Sequence, residues 1–272
     1  MKRFVAAAAG CLCLCVLRAP AQAPRRLTVL TYNIQIGMGM DKKTDLARTA
    51  AAIRAVSPDI VAVQEVDRQA RRTAGVDQAA ELARMTGMRM LFGKASEREG
   101  SGAAPGDYGI AILTRLPIRS HRNRPLPLTP GFEARTVLEA ELAWPEGSRE
   151  GLRFFATHFD NASREDRAAS AKMLVQLAEA QPDTPAVLGG DLNSMPGSEP
   201  LQILGAAWQL AGAGRELPTF PAGQPRRQID YIFYRPANRW RVVEVRVADE
   251  PLASDHRPVL AVLELLPAEK VR

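Results

Sequence analysis

Apolar and polar positions alternate along this chain in two periods, and the switches between them predict about nine strands and three or four helices. LTVLTYNIQI (27–36) is rich in β-branched and aromatic residues and reads as a strand. TDLARTAAAIRAV (44–56) carries Leu46, Ala50 and Ile53 at helical spacing and stops before Ser57-Pro58. DIVAVQEV (59–66) is a near-continuous apolar run, as in a strand covered on both faces. DQAAELARMTG (77–87) reads as a helix closed by Gly87, and RMLFG (89–93) returns as a strand. The polar, glycine-bearing stretch 94–107 is expected to be a loop. YGIAILTR (108–115), RTVLEAELAW (135–144) and LRFFATHF (152–159) follow as strands. SREDRAASAKMLVQLAEA (163–180) is the longest predicted helix, with Ser163 as its cap and acids in the first turn. Four more strand-like segments close the chain: TPAVLGGDL (184–192), QIDYIFY (228–234), WRVVEVRVA (240–248) and PVLAVLELL (258–266).

The early segments run β-α-β-α, while the middle and end read as antiparallel meanders. A doubly wound parallel sheet would need a helix between nearly every pair of strands. The mixed pattern instead predicts an α/β (α+β) architecture of two packed sheets with helices outside. No repeat, low-complexity tract or long linker interrupts residues 24–272, which are expected to form a single domain.

The first 23 residues change the picture of where the protein works. Lys2 and Arg3 precede an apolar stretch (4–17), and Ala21-Gln22-Ala23 supplies a small-x-small cleavage site. Residues 1–23 are therefore expected to be a cleaved signal peptide, and the protein to be exported to the periplasm or beyond the cell. A lipid anchor on Cys11 is the weaker alternative, because the apolar run before it is short. Cys11, Cys13 and Cys15 are the only cysteines, and all lie in this leader. The remaining chain can hold no disulfide, zinc-thiolate site or cysteine nucleophile. Lys2, Arg3 and Arg18 also lie there, so residues 24–272 carry 33 bases against 30 acids. That mild excess, with arginines scattered, does not favour nucleic acid as the partner, although single arginines could meet phosphate.

The candidate chemistry sits at strand ends. Asn33, Glu65, His158, Asp191, Asn193, Asp230, Asp255 and His256 each adjoin Val, Ile, Leu or Phe runs. Taken singly, each has a plain structural explanation: a core amide, a turn residue, a satisfied histidine. Together they are of ligand or acid–base type, and buried charge is costly unless paired or bound to a cation. Oxygen donors predominate, which suits Mg²⁺, with Mn²⁺ or Ca²⁺ as alternatives. His158 and His256 could supply acid–base function near neutral pH. His121, in SHRNR, lacks such a context. The chain has no G-x-S-x-G elbow, H-E-x-x-H pair or Walker lysine loop. Ser254-Asp255-His256 is not a hydrolase relay either, since neighbours in extended chain point to opposite faces.

TYNIQ (31–35), QEVD (64–67), THFD (157–160), GGDLNSMP (189–196), QIDYIF (228–233) and SDHRPVL (254–260), in this order, resemble the endonuclease/exonuclease/phosphatase superfamily. The resemblance spans nearly all of residues 24–272, and lies toward the deoxyribonuclease I-like and sphingomyelinase-like members. It implies a four-layer α/β/β/α sandwich with the site at one end of two facing sheets. It implies Glu65 as principal metal ligand, with Asn33 beside it and Asp255 near the metal. It implies that Asp191 and Asn193 position the attacking water and a phosphate oxygen. His256 would pair with Asp230, and His158 would be the second catalytic histidine. The expected substrate is a phosphoester, either a lipid head group at a membrane surface, a nucleotide or a small ester, acted on by a monomer. A secreted nuclease and a catalytically silent binding module are the alternatives. Gln35 stands where abasic-site endonucleases carry an acid, which argues against a DNA-repair role.

Overall fold

The computed structural model describes residues 25–145 and 151–268. The expected leader, with Cys11, lies outside the described residues. In chain order the elements are β1 (Arg25–Asn33), α1 (Leu46–Ala55), β2 (Ile60–Arg68), α2 (Gln78–Thr86), β3 (Arg89–Arg98), β4 (Gly106–Thr114), β5 (Ile118–Pro125), β6 (Thr136–Leu142), β7 (Leu152–His158), α3 (Arg164–Glu179), β8 (Ala186–Asp191), α4 (Glu199–Leu204), β9 (Gln209–Leu210), β10 (Asp230–Arg235), β11 (Trp240–Val247) and β12 (Val259–Leu265).

The helix boundaries follow from caps written in the sequence. Asp45, Asp77 and Ser163 each accept a backbone N–H three residues on, opening α1, α2 and α3. Gly87 closes α2 in the left-handed region, at φ 67°. Three local expectations are corrected. β3 continues to Arg98 rather than ending at Gly93. SHRNR lies in β5, and α4 and β9 were not anticipated. β5 lies at a sheet edge with most of its residues exposed, so it carries no alternating apolar signal. The described residues thus form twelve strands rather than about nine.

Two six-stranded sheets face each other, in the orders β11-β12-β1-β2-β4-β3 and β5-β6-β7-β8-β10-β9. Each has one parallel pair near its centre, β1/β2 crossed over by α1 and β7/β8 crossed over by α3. All other pairings are antiparallel. Three apolar layers hold the stack. Val29, Ile60, Ala62, Ile112, Phe154 and Val187 belong to the layer between the sheets. Leu30, Val61, Ile53 and Leu82 pack α1 and α2 onto the first sheet. Phe155, Leu188, Leu174 and Trp208 pack α3 onto the second. This is the expected α/β/β/α sandwich.

The topology also decides where the polar residues meet. Parallel neighbours end at the same edge, so Asn33 lies opposite Gln64, and His158 opposite Asp191. An antiparallel neighbour begins at that edge, and Asp230 accordingly opens β10 opposite Asp191. β12 runs antiparallel to β1, which brings residues 254–257 to the same end.

Candidate active site

Asp191 is the centre of the cluster. Its Oδ2 accepts from Asn33 Nδ2 at 3.1 Å, across the gap between the two sheets. The same oxygen lies 3.5 Å from His158 Nε2 and 3.8 Å from His256 Nε2. Oδ1 accepts from the Asn193 backbone N–H at 2.9 Å. Two imidazoles thus flank one buried carboxylate. Gly190 permits this crowding at the strand end, because a Cβ there would sit 2.5 Å from the Thr157 carbonyl oxygen.

Asn33 also donates to Glu65 Oε1 at 3.0 Å, and its own oxygen accepts from Gln35 N–H at 3.1 Å. Glu65 reaches this position through a β-bulge: the register of β2 on β4 slips between Gln64 and Val66, and Glu65 takes φ 57°. Asn193 also lies in the left-handed region, at φ 46°. Gln35, at φ 46°, makes a third non-glycine residue in that region beside one cluster, which indicates local strain retained for side-chain placement. Asp255 accepts from Gln35 Nε2 at 2.8 Å, and Ser254 Oγ donates to the Asn33 carbonyl at 2.7 Å. Ser254 is therefore a tie between β1 and the loop before β12.

His256 Nδ1 and Asp230 Oδ2 are 2.9 Å apart, and Thr219 Oγ1 donates to the same oxygen at 2.5 Å. Burial pushes the His256 imidazole down. The charges of Asp230 and Asp191, with the Asp230 hydrogen bond, outweigh burial and hold it up to about 10. Burial, and then the Asp230 charge, raise Asp191 to about 7 against the opposing pull of His256. His158 is pushed well below its ordinary value by burial, and further by Arg135 and His256. At neutral pH the site therefore holds one charged imidazole and one neutral imidazole, with a carboxyl raised above the ordinary carboxylate range between them.

Arg135 Nη1 lies 2.9 Å from His158 Nδ1 and 3.3 Å from the Tyr108 hydroxyl. A guanidinium has only donors, so Nδ1 must accept and the ring proton sits on Nε2. The Asn193 amide nitrogen is 3.2 Å from that Nε2 and also donates to Phe159 O at 3.0 Å. Two donors therefore point into one small region, a ready seat for an anionic oxygen.

The structure thus brings all eight anticipated residues to one end of the sandwich. Sequence reasoning missed Arg135, Tyr108 and Thr219, and noted Gln35 only for the acid it replaces. Arg135 had a readable signal. It directly precedes β6, whose start pairs beside the end of β7 at Val137 and Thr157. The first residues of antiparallel strands at this edge belong in the search along with the last residues of parallel ones.

The donor set fits a hard divalent cation. Glu65, Asp191, Asp230 and Asp255 supply carboxylates, and burial raises Glu65 above the ordinary carboxyl range. Buried Gln35 Oε1 and Asp230 Oδ1 have no hydrogen-bond donor. Ligating atoms of Asp191, Asp230 and His256 all lie within 4.8 Å of one another, although His256 and Asp230 are already bonded together.

A family model described as the endonuclease/exonuclease/phosphatase family matches residues 30–256. A search of curated protein sequences finds no match. Among solved structures, the endonuclease/exonuclease/phosphatase from Beutenbergia cavernae is similar at 27% identity and a TM-score of 0.74, covering 90% of this chain and 72% of that one. A mannosyl-6-phosphatase of Bacteroides thetaiotaomicron shares the fold at 19% identity and TM-score 0.70, covering 87% and 99%. So does the human Nocturnin catalytic domain, solved with bound sulfate, at 18% identity and TM-score 0.68, covering 89% and 94%.

Proposed function

The chain belongs to the endonuclease/exonuclease/phosphatase family, whose members hydrolyse phosphoester bonds, and from that premise we propose that it is an exported, divalent-metal-dependent phosphoesterase. The observation that carries this reading is one buried carboxylate, Asp191, held between two imidazoles at 3.5 and 3.8 Å, one of them kept neutral by burial and the other kept charged by Asp230. Such a pairing separates a proton acceptor from fixed positive charge within one small site.

Asp191, raised to about 7, orients a water and accepts its proton as the oxygen attacks phosphorus. A new P–O bond forms while the bond to the leaving oxygen breaks, and that oxygen takes a proton as it departs. His256, charged and held by Asp230, faces the growing negative charge. His158 Nε2–H and the Asn193 amide donate to a phosphate oxygen, with Arg135 fixing the ring. A Mg²⁺-type cation, held by Glu65, Asn33 and Asp255, would supply further positive charge to the phosphate and the leaving group.

The test is hydrolysis of bis-p-nitrophenyl phosphate by the purified chain with Mg²⁺ or Mn²⁺. EDTA should abolish turnover, and Asp191→Asn should lower it by about 10² or more. Turnover that survives EDTA, or an Asp191→Asn variant with full activity, would overturn the reading.

A further inference from the structure

A groove leads away from the catalytic cluster, and it is built from cations. A cavity of about 290 Å³ opens beside Asn193, and Arg167, Arg164 and Arg227 line it. It shares Arg164 and Glu199 with a second hollow of about 460 Å³, along which α3 also presents Lys172. Arg164, Ala168 and Lys172 follow at four-residue steps, which puts both cations on one stripe of α3.

These cations are placed against local preference. Arg164 and Arg167 stand in the first turn of α3, where the helix dipole favours acids over bases. Several surface arginines elsewhere are neutralised: Arg48 by Asp41, Arg84 by Glu81, Arg241 by Glu264, Arg257 by Asp249. Among the described residues, Arg164, Lys172 and Arg227 make no such ion pair, while Arg167 donates to the Asp160 carbonyl. Arg227 instead lies over Phe220, whose ring rests 4.9 Å from His256. Glu165 and Glu199 are the acids of the groove, so its balance stays positive. Ser194 and Ser198 border the same cavity, with buried hydroxyls that have no hydrogen-bond partner, and Ser194 is 4% exposed.

We propose that this groove is a second anion subsite, and that the substrate is a small phosphoester carrying a further phosphate besides the one cleaved. The proposal rests on the phosphoesterase reading above and names its substrate class. The scissile phosphate sits at Asp191, His158 and Asn193, while the second is met by Arg227, Arg167 and Arg164. Hollows of a few hundred Å³ suit a nucleotide-sized molecule.

The experiment compares thymidine 5′-(p-nitrophenyl phosphate) with the same ester bearing a 3′-phosphate, on the full chain with Mg²⁺. The phosphorylated ester should show kcat/KM higher by about threefold to tenfold, mainly through KM, as for several exposed charge pairings acting together. Arg164→Ala with Arg227→Ala should bring the ratio of the two esters toward one. A ratio near one in the unmodified protein, or a ratio untouched by the double variant, overturns the subsite. Faster cleavage of a single-stranded oligonucleotide than of the bisphosphate overturns the small-molecule assignment. Calorimetric binding of inorganic pyrophosphate in EDTA separates the two levels. If neither ester turns over, yet pyrophosphate binding is lost in the double variant, the subsite stands and the hydrolase reading falls.

Discussion

Arg135 donates to His158 Nδ1 across 2.9 Å, and this contact settles which imidazole nitrogen faces the cluster. The ring can then turn only an N–H toward Asp191 and Asn193. Removing the guanidinium frees the tautomer and leaves the carboxylates of the cluster in place, although it also breaks the 2.8 Å ion pair to Glu133. Arg135→Ala should therefore lower kcat by about 10², in line with loss of one oriented donor, with KM changing less. Imidazole nitrogen NMR should show His158 moving from one Nε2-protonated form to a mixture. An unchanged tautomer alongside an unchanged kcat would remove Arg135 from this role.

Glu65 occupies the left-handed region at φ 57°, inside a bulge and largely buried. Glycine adopts that conformation freely, and the substitution also removes a buried acid. Glu65→Gly should raise the melting temperature, by about 1 kcal/mol of stability from backbone strain alone. The same change should abolish metal-dependent turnover. Thermal unfolding in EDTA reads the first effect and ester hydrolysis the second. A variant that loses both stability and activity would show that Glu65 serves the fold.

His256 gives a pH dependence with a definite sign. Its folded pKa, about 10, lies above the ordinary 6.5, so its contribution is complete below about 6.5 and is lost as pH rises toward 10. Asp191 is raised as well, from 3.8 to about 7, so its contribution is complete below about 3.8 and is already lost as pH rises to 7. Above pH 7 the slope therefore belongs to His256. In EDTA, the melting temperature should fall between pH 7 and 10, and Asp230→Asn should flatten that fall. An equal slope in the variant would contradict the Asp230–His256 assignment.

Gly190 of β8 lies opposite Thr157 of β7 at the site edge. A methyl group there meets the Thr157 carbonyl oxygen at 2.5 Å. Backbone must shift to admit it, at a cost of about 1–3 kcal/mol, as in overpacked cores. Because Asp191 follows directly, Gly190→Ala should reduce turnover along with stability. Chemical denaturation and ester hydrolysis measured on the same sample would separate the two, and a fully active, equally stable variant would be inconsistent with this packing.

Much of this was legible in the sequence, because apolar periodicity and strand-end chemistry coincide. The runs ending in Asn33, His158 and Asp191 announced both the core and the cluster. β5 escaped because an exposed edge strand has little apolar face to repeat. Arg135 escaped because one arginine before a strand looks like any surface cation until the antiparallel pairing of β6 with β7 is known. Thr219, and the reach of Gln35 to Asp255, escaped for a related reason. Their roles depend on reaching Asp230 and Asp255, and those distances are set by three-dimensional neighbours rather than by spacing in the chain. The β-bulge at Glu65 is written nowhere in DIVAVQEV, since it arises from how β2 meets β4.

The pairing of β1 with β12 joins Arg25 to Leu265, so one of the first strands laid down waits for one of the last. Contacts so far apart in sequence close slowly. Asp255 and His256 arrive immediately before that closing strand. A chain halted ahead of them on the ribosome would have an open sheet edge and no Asp230–His256 pair. On the proposed mechanism, a product cut short before Asp255 is inert as well as poorly folded.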